Sequence, residues 1–188
     1  GTFRAIKAVM RNRDMLLVGA HRDNKQRVGD VEFVQGVAVY NSETTRQAVY
    51  SPQLVFDNQS KTYAMQGQNS SNRMIHRQKK NFQIFLDELI QGAFRHESVL
   101  DMVVAGHRRL SGLPLFNRQT RAPALQKLSK LLRENDIGAR SVEFVIESLR
   151  GSDAATQWDV YRGLLLAAQK TALSDRLLRF TAWKMITK

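Results

Sequence analysis

The sequence contains no cysteine and only three prolines among its 188 residues. The lack of cysteine excludes a disulfide framework and a thiolate metal site, and is typical of a protein from a reducing compartment. No apolar run approaches the roughly 20 residues that a membrane-spanning helix needs. The start of the chain is basic but has no following apolar core, so no signal peptide is expected. These absences predict a cytoplasmic protein without membrane contact.

Positive charge is the most abundant feature. Lys and Arg number 29 against 17 Asp and Glu, which gives a net charge of +12. A polyanion gains affinity from each Lys or Arg that releases a counterion, and the phosphate backbone is the commonest such polyanion. Because 43% of the residues are hydrophobic, the composition is that of a globular chain. The charge therefore favours nucleic acid as the partner of a folded domain.

The first third of the chain predicts a mixture of strands and short helices. Residues 1–20 fit either a helix or a short strand, and residues 21–27 are polar and basic, as in a loop. Residues 31–40 are rich in β-branched and aromatic types and predict a strand with a bend or bulge at Gly36. Residues 41–50 predict a short polar helix, because Asn41 or Ser42 is a suitable N-cap.

A β-hairpin is predicted over 53–65, with its turn at residues 57–60, and a polar linker follows. From residue 72 onward the apolar spacing is helical. It predicts helices over 72–91, 96–110, 124–134, 140–149 and 153–186, the last with a break near Ser174. The fold class is therefore α+β and mainly helical: a mixed region with a β-ribbon over 1–71, and a helical bundle over 72–188, integrated into one domain.

The predicted helix over 72–91 has a cationic face opposite its apolar stripe. Arg73, Arg77 and Lys80 share one side at helical spacing, and no acidic residue interrupts the run. Such a face suits a phosphate backbone, although most charged faces are simply solvated. A two-stranded ribbon can also enter the major groove. The candidate DNA-binding residues are Lys61, Thr62, Tyr63, Arg73, His76, Arg77, Lys79, Lys80, Arg108 and Arg109.

Arg108 and Arg109 end a predicted helix, where a cation also stabilises the helix dipole. A further basic group brackets the helix over 124–134, in which Lys127 and Lys130 can share a face. It consists of Arg118, Arg121, Lys127, Lys130 and Arg133. These groups extend the candidate cationic surface beyond the helix over 72–91.

Catalytic patterns are lacking. The four histidines form no metal-binding spacing, and there is no phosphate loop, nucleophile elbow or dinucleotide fingerprint. Asp30 and Glu32 are the only carboxylates placed where a strand-borne metal site of a nuclease could lie. The sequence therefore predicts a protein that is not an enzyme and needs no metal, cofactor or small-molecule ligand.

The order of elements over 53–110, a polar ribbon followed by a basic-faced helix and an apolar helix, resembles a ribbon-helix-helix DNA-binding unit. In a basic, cysteine-free chain of this size, it looks like the AcaB-like regulators of conjugative plasmids and integrative elements. The resemblance implies a dimeric DNA-binding activator of transfer genes. We expect a homodimer that binds double-stranded DNA and regulates transcription. The alternatives are an RNA-binding or nucleoprotein subunit, an assembly component with an acidic partner, and a nuclease.

Overall fold

The computed structural model has an α+β architecture in which the long strands precede the helices, as the sequence predicts. The residues that the structure describes are 3–11, 14–42, 49–50, 53–65, 73–74, 99–170 and 176–187. The chain divides into two compact units, residues 1–101 and 102–188. The first unit contains the sheet and the second is mainly helical.

Seven strands of the described part form one antiparallel sheet. They are β1 (Phe3–Arg11), β2 (Asp14–Val28), β3 (Val31–Ser42), β4 (Val49–Tyr50), β5 (Gln53–Asp57), β6 (Thr62–Met65) and β7 (Arg73–Met74). The order is β1-β2-β3-β5-β6, while β4 pairs with the C-terminal end of β3 and with β7. The described residues of the ambiguous start, 3–11 and 14–20, thus belong to strands β1 and β2. The sheet continues to Met74, beyond the boundary predicted at residue 71.

The core of the sheet follows from its register. Val34 pairs with Phe56, and Phe56 pairs with Tyr63, so these side chains share one face. The buried cluster on that face is Val18, Ala20, Val34, Ala38, Leu54, Phe56 and Tyr63. Gly36 lies within this face, where a Cβ atom would come within 2.6 Å of the Phe56 ring. Glycine is therefore required at position 36 for the Phe56 ring of β5 to pack against β3.

The loop predicted over 21–27 is wrong, because β2 continues through it. Residues 21–24 bulge out opposite Gln35, and the pairing resumes at the next residue of β2. The Asn24 side-chain amide donates a hydrogen bond to Gln35, whose own amide donates to Gln53 Oε1 at 3.2 Å. This chain of amides satisfies polar groups that would otherwise be buried without partners. A polar segment can therefore continue as a strand here.

The described residues of two predicted helices, over 41–50 and 72–91, are strand. β3 runs to Ser42, and the end of the helix predicted over 41–50 is the strand Val49–Tyr50. Its partner is Arg73–Met74, where the basic helix was expected to begin. Local capping signals predicted both helices, but pairing between segments distant in sequence outweighs such propensities. The remainder of the helix predicted over 72–91 lies outside the described residues.

The predicted helices of the second half are confirmed from α1 onward. The elements are α1 (Val99–Ser111), β8 (Pro114–Phe116), α2 (Arg121–Glu134), α3 (Ala139–Arg150), β9 (Ala155–Thr156), α4 (Gln157–Lys170) and α5 (Arg176–Thr187). β8 pairs with β9 in a small second sheet. The break predicted near Ser174 lies between α4 and α5, outside the described residues. None of the described helices is long and apolar enough to cross a membrane.

Helix α4 is central in the helical unit. It packs against α3 and α5, and its Trp158 stacks on Tyr161 at 4.3 Å and meets the edge of His107 on α1 at 4.7 Å. α2 packs mainly against α3, through Leu125, Leu128 and Leu132. Because α2 buries a single stripe at the periphery, most of its circumference is exposed.

Candidate nucleic-acid interface

The hairpin predicted over 53–65 is confirmed, but most of its candidate side chains do not face solvent. Lys61 lies exposed in the turn, with a φ of 56°. Thr62 is 0% exposed and Tyr63 only 9%, because β6 turns one into each covered face of the sheet. Side chains with so little exposure cannot reach base edges without unfolding the hairpin. The burial of Thr62 and Tyr63 therefore does not support the base-reading role expected of them.

The hairpin turn is held by Asp57. Its carboxylate accepts hydrogen bonds from the backbone amides of Gln59 and Ser60, at 2.8 and 3.1 Å, and from the Ser60 hydroxyl at 2.6 Å. β5 of this hairpin pairs along its other edge with β3 of the same chain. The two-chain ribbon that the resemblance implies is therefore not confirmed. The homodimer stays a prediction, but strand pairing between two chains no longer supports it.

The structure describes only residues 73–74 of the cationic face predicted over 73–80. Arg73 belongs to strand β7 and not to the start of a helix. His76, Arg77, Lys79 and Lys80 lie outside the described residues, so their role stays a prediction.

Arg108 and Arg109, at the end of α1, differ in their surroundings. The Arg109 guanidinium donates to the backbone carbonyl of Met185 at 2.5 Å, in the last turn of α5. A helix end leaves its last carbonyls without intrahelical partners, so this contact caps α5. Arg108 is exposed and has no hydrogen bond or ion pair with another described residue. Arg108 therefore remains available to a ligand, whereas Arg109 has a structural contact.

Charge is concentrated in the helical unit. Residues 102–188 contain 15 Lys and Arg against 7 Asp and Glu, which gives +8 of the total of +12. Within residues 102–133 there are seven cations and no acid. They are Arg108, Arg109, Arg118, Arg121, Lys127, Lys130 and Arg133. This acid-free run ends on α2. The phosphate contacts predicted from the sequence lie mainly in the shorter run at 73–80.

Three of these cations share the solvent side of α2. Lys127, Lys130 and Arg133 lie on the side opposite the buried leucines, and all three are exposed. We call this set the basic face of α2. At 1.5 Å per residue it spans about 9 Å along the helix axis, the axial length of two to three base pairs. Its length and charge suit two or three successive phosphates.

Glu134 is an acid that pairs with the basic face. Its carboxylate lies 3.9 Å from the Lys130 ammonium, and both side chains are more than half exposed. An exposed pair of this kind contributes at most about 0.5 kcal/mol, so Lys130 can exchange it for another anion. Helix α3 differs, because its two exposed arginines are matched by Glu143 and Glu147. Arg150 pairs with Glu147 at 2.9 Å.

The ends of α2 fix where the basic face lies. Before the helix, the Asn117 side chain accepts hydrogen bonds from the backbone amides of Gln119 and Thr120, both at 3.0 Å. After it, Asp136 has a φ of 59°, and the amide of Ile137 donates to the Leu132 carbonyl at 3.1 Å. This Schellman arrangement ends the helix just beyond Glu134. Both ends are defined by hydrogen bonds, and the helix between them sets the spacing of the three cationic residues.

Chemistry other than anion binding has little support in the described part of the chain. No group of three or more His, Asp or Glu side chains there is placed to hold a metal ion. Glu32 accepts a hydrogen bond from the Asn58 amide at 2.7 Å and lies 3.8 Å from the Lys25 ammonium. No family model, curated protein or solved structure matches this chain. Its function is therefore inferred from its own residues.

Proposed function

We propose that this protein binds double-stranded DNA through phosphate contacts made by the helical unit. The observation that carries the proposal is the acid-free run 102–133, whose last three cations form the basic face of α2. Phosphate contacts give affinity and orientation without reading the sequence. Arg108 and Arg118, which are also exposed, would add to the same electrostatic attraction.

We further propose that the protein acts as a transcriptional regulator and that the run at 73–80 makes additional DNA contacts. The same proposal includes a homodimer, as the resemblance to AcaB-like regulators implies. An RNA-binding subunit would use the same phosphate chemistry, so the choice between duplex DNA and RNA is an outcome of the test.

The test is a binding titration with a labelled DNA duplex, the matching single strand and RNA, over a salt series. The variant Lys127→Ala, Lys130→Ala, Arg133→Ala should lower the slope of log K against log salt by up to about 2.7, or 0.9 for each lost phosphate contact. The control Arg140→Ala, Arg150→Ala, Lys170→Ala removes the same charge from α3 and α4. Equal losses in the two variants would show a general charge effect and contradict the assignment to α2.

A further inference from the structure

The last helix carries an exposed aromatic side chain in a cationic setting. Phe180 on α5 is 42% exposed, and the Lys184 ammonium lies 4.3 Å from the centre of its ring. The opposite side of α5 is buried through Leu178, Ala182 and Ile186. Phe180 is therefore directed away from the core of the helical unit, on the face that α5 presents to solvent.

The sequence around Phe180 is also free of acid. Residues 176–188 contain four cations and no Asp or Glu. One of the four, Arg179, is buried, and Lys184 is exposed beside the ring. An aromatic ring next to exposed cations is the arrangement with which proteins hold single-stranded nucleic acid: a base stacks on the ring while a phosphate contacts the cation.

We propose that Phe180 and Lys184 form a stacking site for an unpaired base of single-stranded DNA. The inference rests on the proposed function, because phosphate attraction to the helical unit brings the strand to α5. The Lys184 side chain is flexible, so its ammonium can move from the ring to a phosphate and release the ring face to a base. A duplex keeps its bases stacked on one another and offers none to the ring.

A second aromatic–cation pair provides a matched control. The Lys170 ammonium lies 4.4 Å from the centre of the Phe144 ring, nearly the same geometry. Phe144 is only half-exposed, however, and lies on α3 between Glu143 and Glu147, whose charges repel a phosphate strand. Only the α5 pair combines an exposed ring with an acid-free surrounding sequence.

The experiment compares a labelled oligothymidylate with an abasic strand of equal length, which has the same phosphates and no bases. The wild-type protein should bind the oligothymidylate about five-fold more tightly, since stacking on an aromatic side chain is worth about 1 kcal/mol or more per base. Phe180→Leu should remove this preference and leave abasic binding unchanged. Phe180→Trp should retain it, and Phe144→Leu should alter neither affinity.

The outcomes separate this inference from the proposed function. Equal binding of the two strands by the wild type, or an unchanged preference in Phe180→Leu, would overturn the stacking site alone. The variant lacking the basic face of α2 should bind both strands more weakly by the same factor, so the ratio of the two affinities should not change. Failure of the wild type to bind either strand or a duplex would overturn the proposed function as well. Because Phe180 is exposed, Phe180→Leu should melt at the wild-type temperature.

Discussion

Neutralising Glu134 should strengthen DNA binding, and a gain of affinity cannot be explained by misfolding. Glu134 lies beside the basic face of α2 and pairs with Lys130 at 3.9 Å. Glu134→Gln would release Lys130 to a phosphate and remove the repulsion between that phosphate and the carboxylate. If one additional contact forms, the salt slope should steepen by about 0.9.

This slope sets the size of the effect. Affinity scales as the salt concentration to the power of the slope, so one contact is worth up to about eight-fold at roughly 0.1 M salt. The gain should vanish near about 1 M. The folded state should change little, because an exposed pair contributes at most about 0.5 kcal/mol and Glu134 lies at the helix end that disfavours negative charge.

Glu147→Gln is the matched control. It makes the same change in net charge and also breaks an exposed ion pair, that with Arg150 on α3. Anisotropy titrations of one duplex at several salt concentrations would give both slopes. A gain for Glu134→Gln alone is expected. If the two variants gain equally, the helical unit acts through its overall charge, and an affinity of Glu134→Gln equal to that of the wild type would refute the role of Lys130.

Two further predictions concern stability, measured by thermal or urea denaturation. Asp136→Gly should stabilise the protein by about 1 kcal/mol, because Asp136 has a φ of 59° and places a negative charge just after the C-terminus of α2. Asp136→Ala should be less stable than Asp136→Gly, and equal stabilities would contradict the backbone argument. Gly106→Ala should cost about 2 kcal/mol, since its Cβ would lie 2.6 Å from Ile186 and the cost of overpacking exceeds the gain in helix propensity of about 1 kcal/mol. Gly163→Ala, with a nearest neighbour at 3.1 Å, should cost less.

The parts of the fold that the sequence could predict are those that local signals determine. The hairpin over 53–65 has its turn chemistry within four residues, with Asp57 accepting two backbone hydrogen bonds. The end of α2 and the start of α3 are marked by Gly138 and by apolar spacing. Residues 21–27 could not be recognised as strand, because the contact that accommodates this polar segment, from Asn24 to Gln35, is made by another strand.

The candidate site shows the same limit. Spacing alone placed Lys127 and Lys130 on one face of a helix, and sequence order placed Arg108 and Arg109 at the end of another. It could not show that Arg109 caps α5 or that Thr62 is buried, since both depend on contacts between distant segments. A count of acidic residues along the chain would have found the run 102–133, which is longer than the run at 73–80.

The unbalanced charge on α2 is itself an argument for a ligand. Seven cations without an acid over residues 102–133 repel one another and destabilise the compact state. The fold does not require this, because α3 in the same unit carries two acids for its two exposed arginines, and Arg150 pairs with Glu147. A helix with balanced charges would fold as well, so the basic face is not needed for folding. The variant Lys127→Ala, Lys130→Ala, Arg133→Ala should then be at least as stable as the wild type while it binds DNA more weakly. A large loss of stability in that variant would show that these side chains serve the fold.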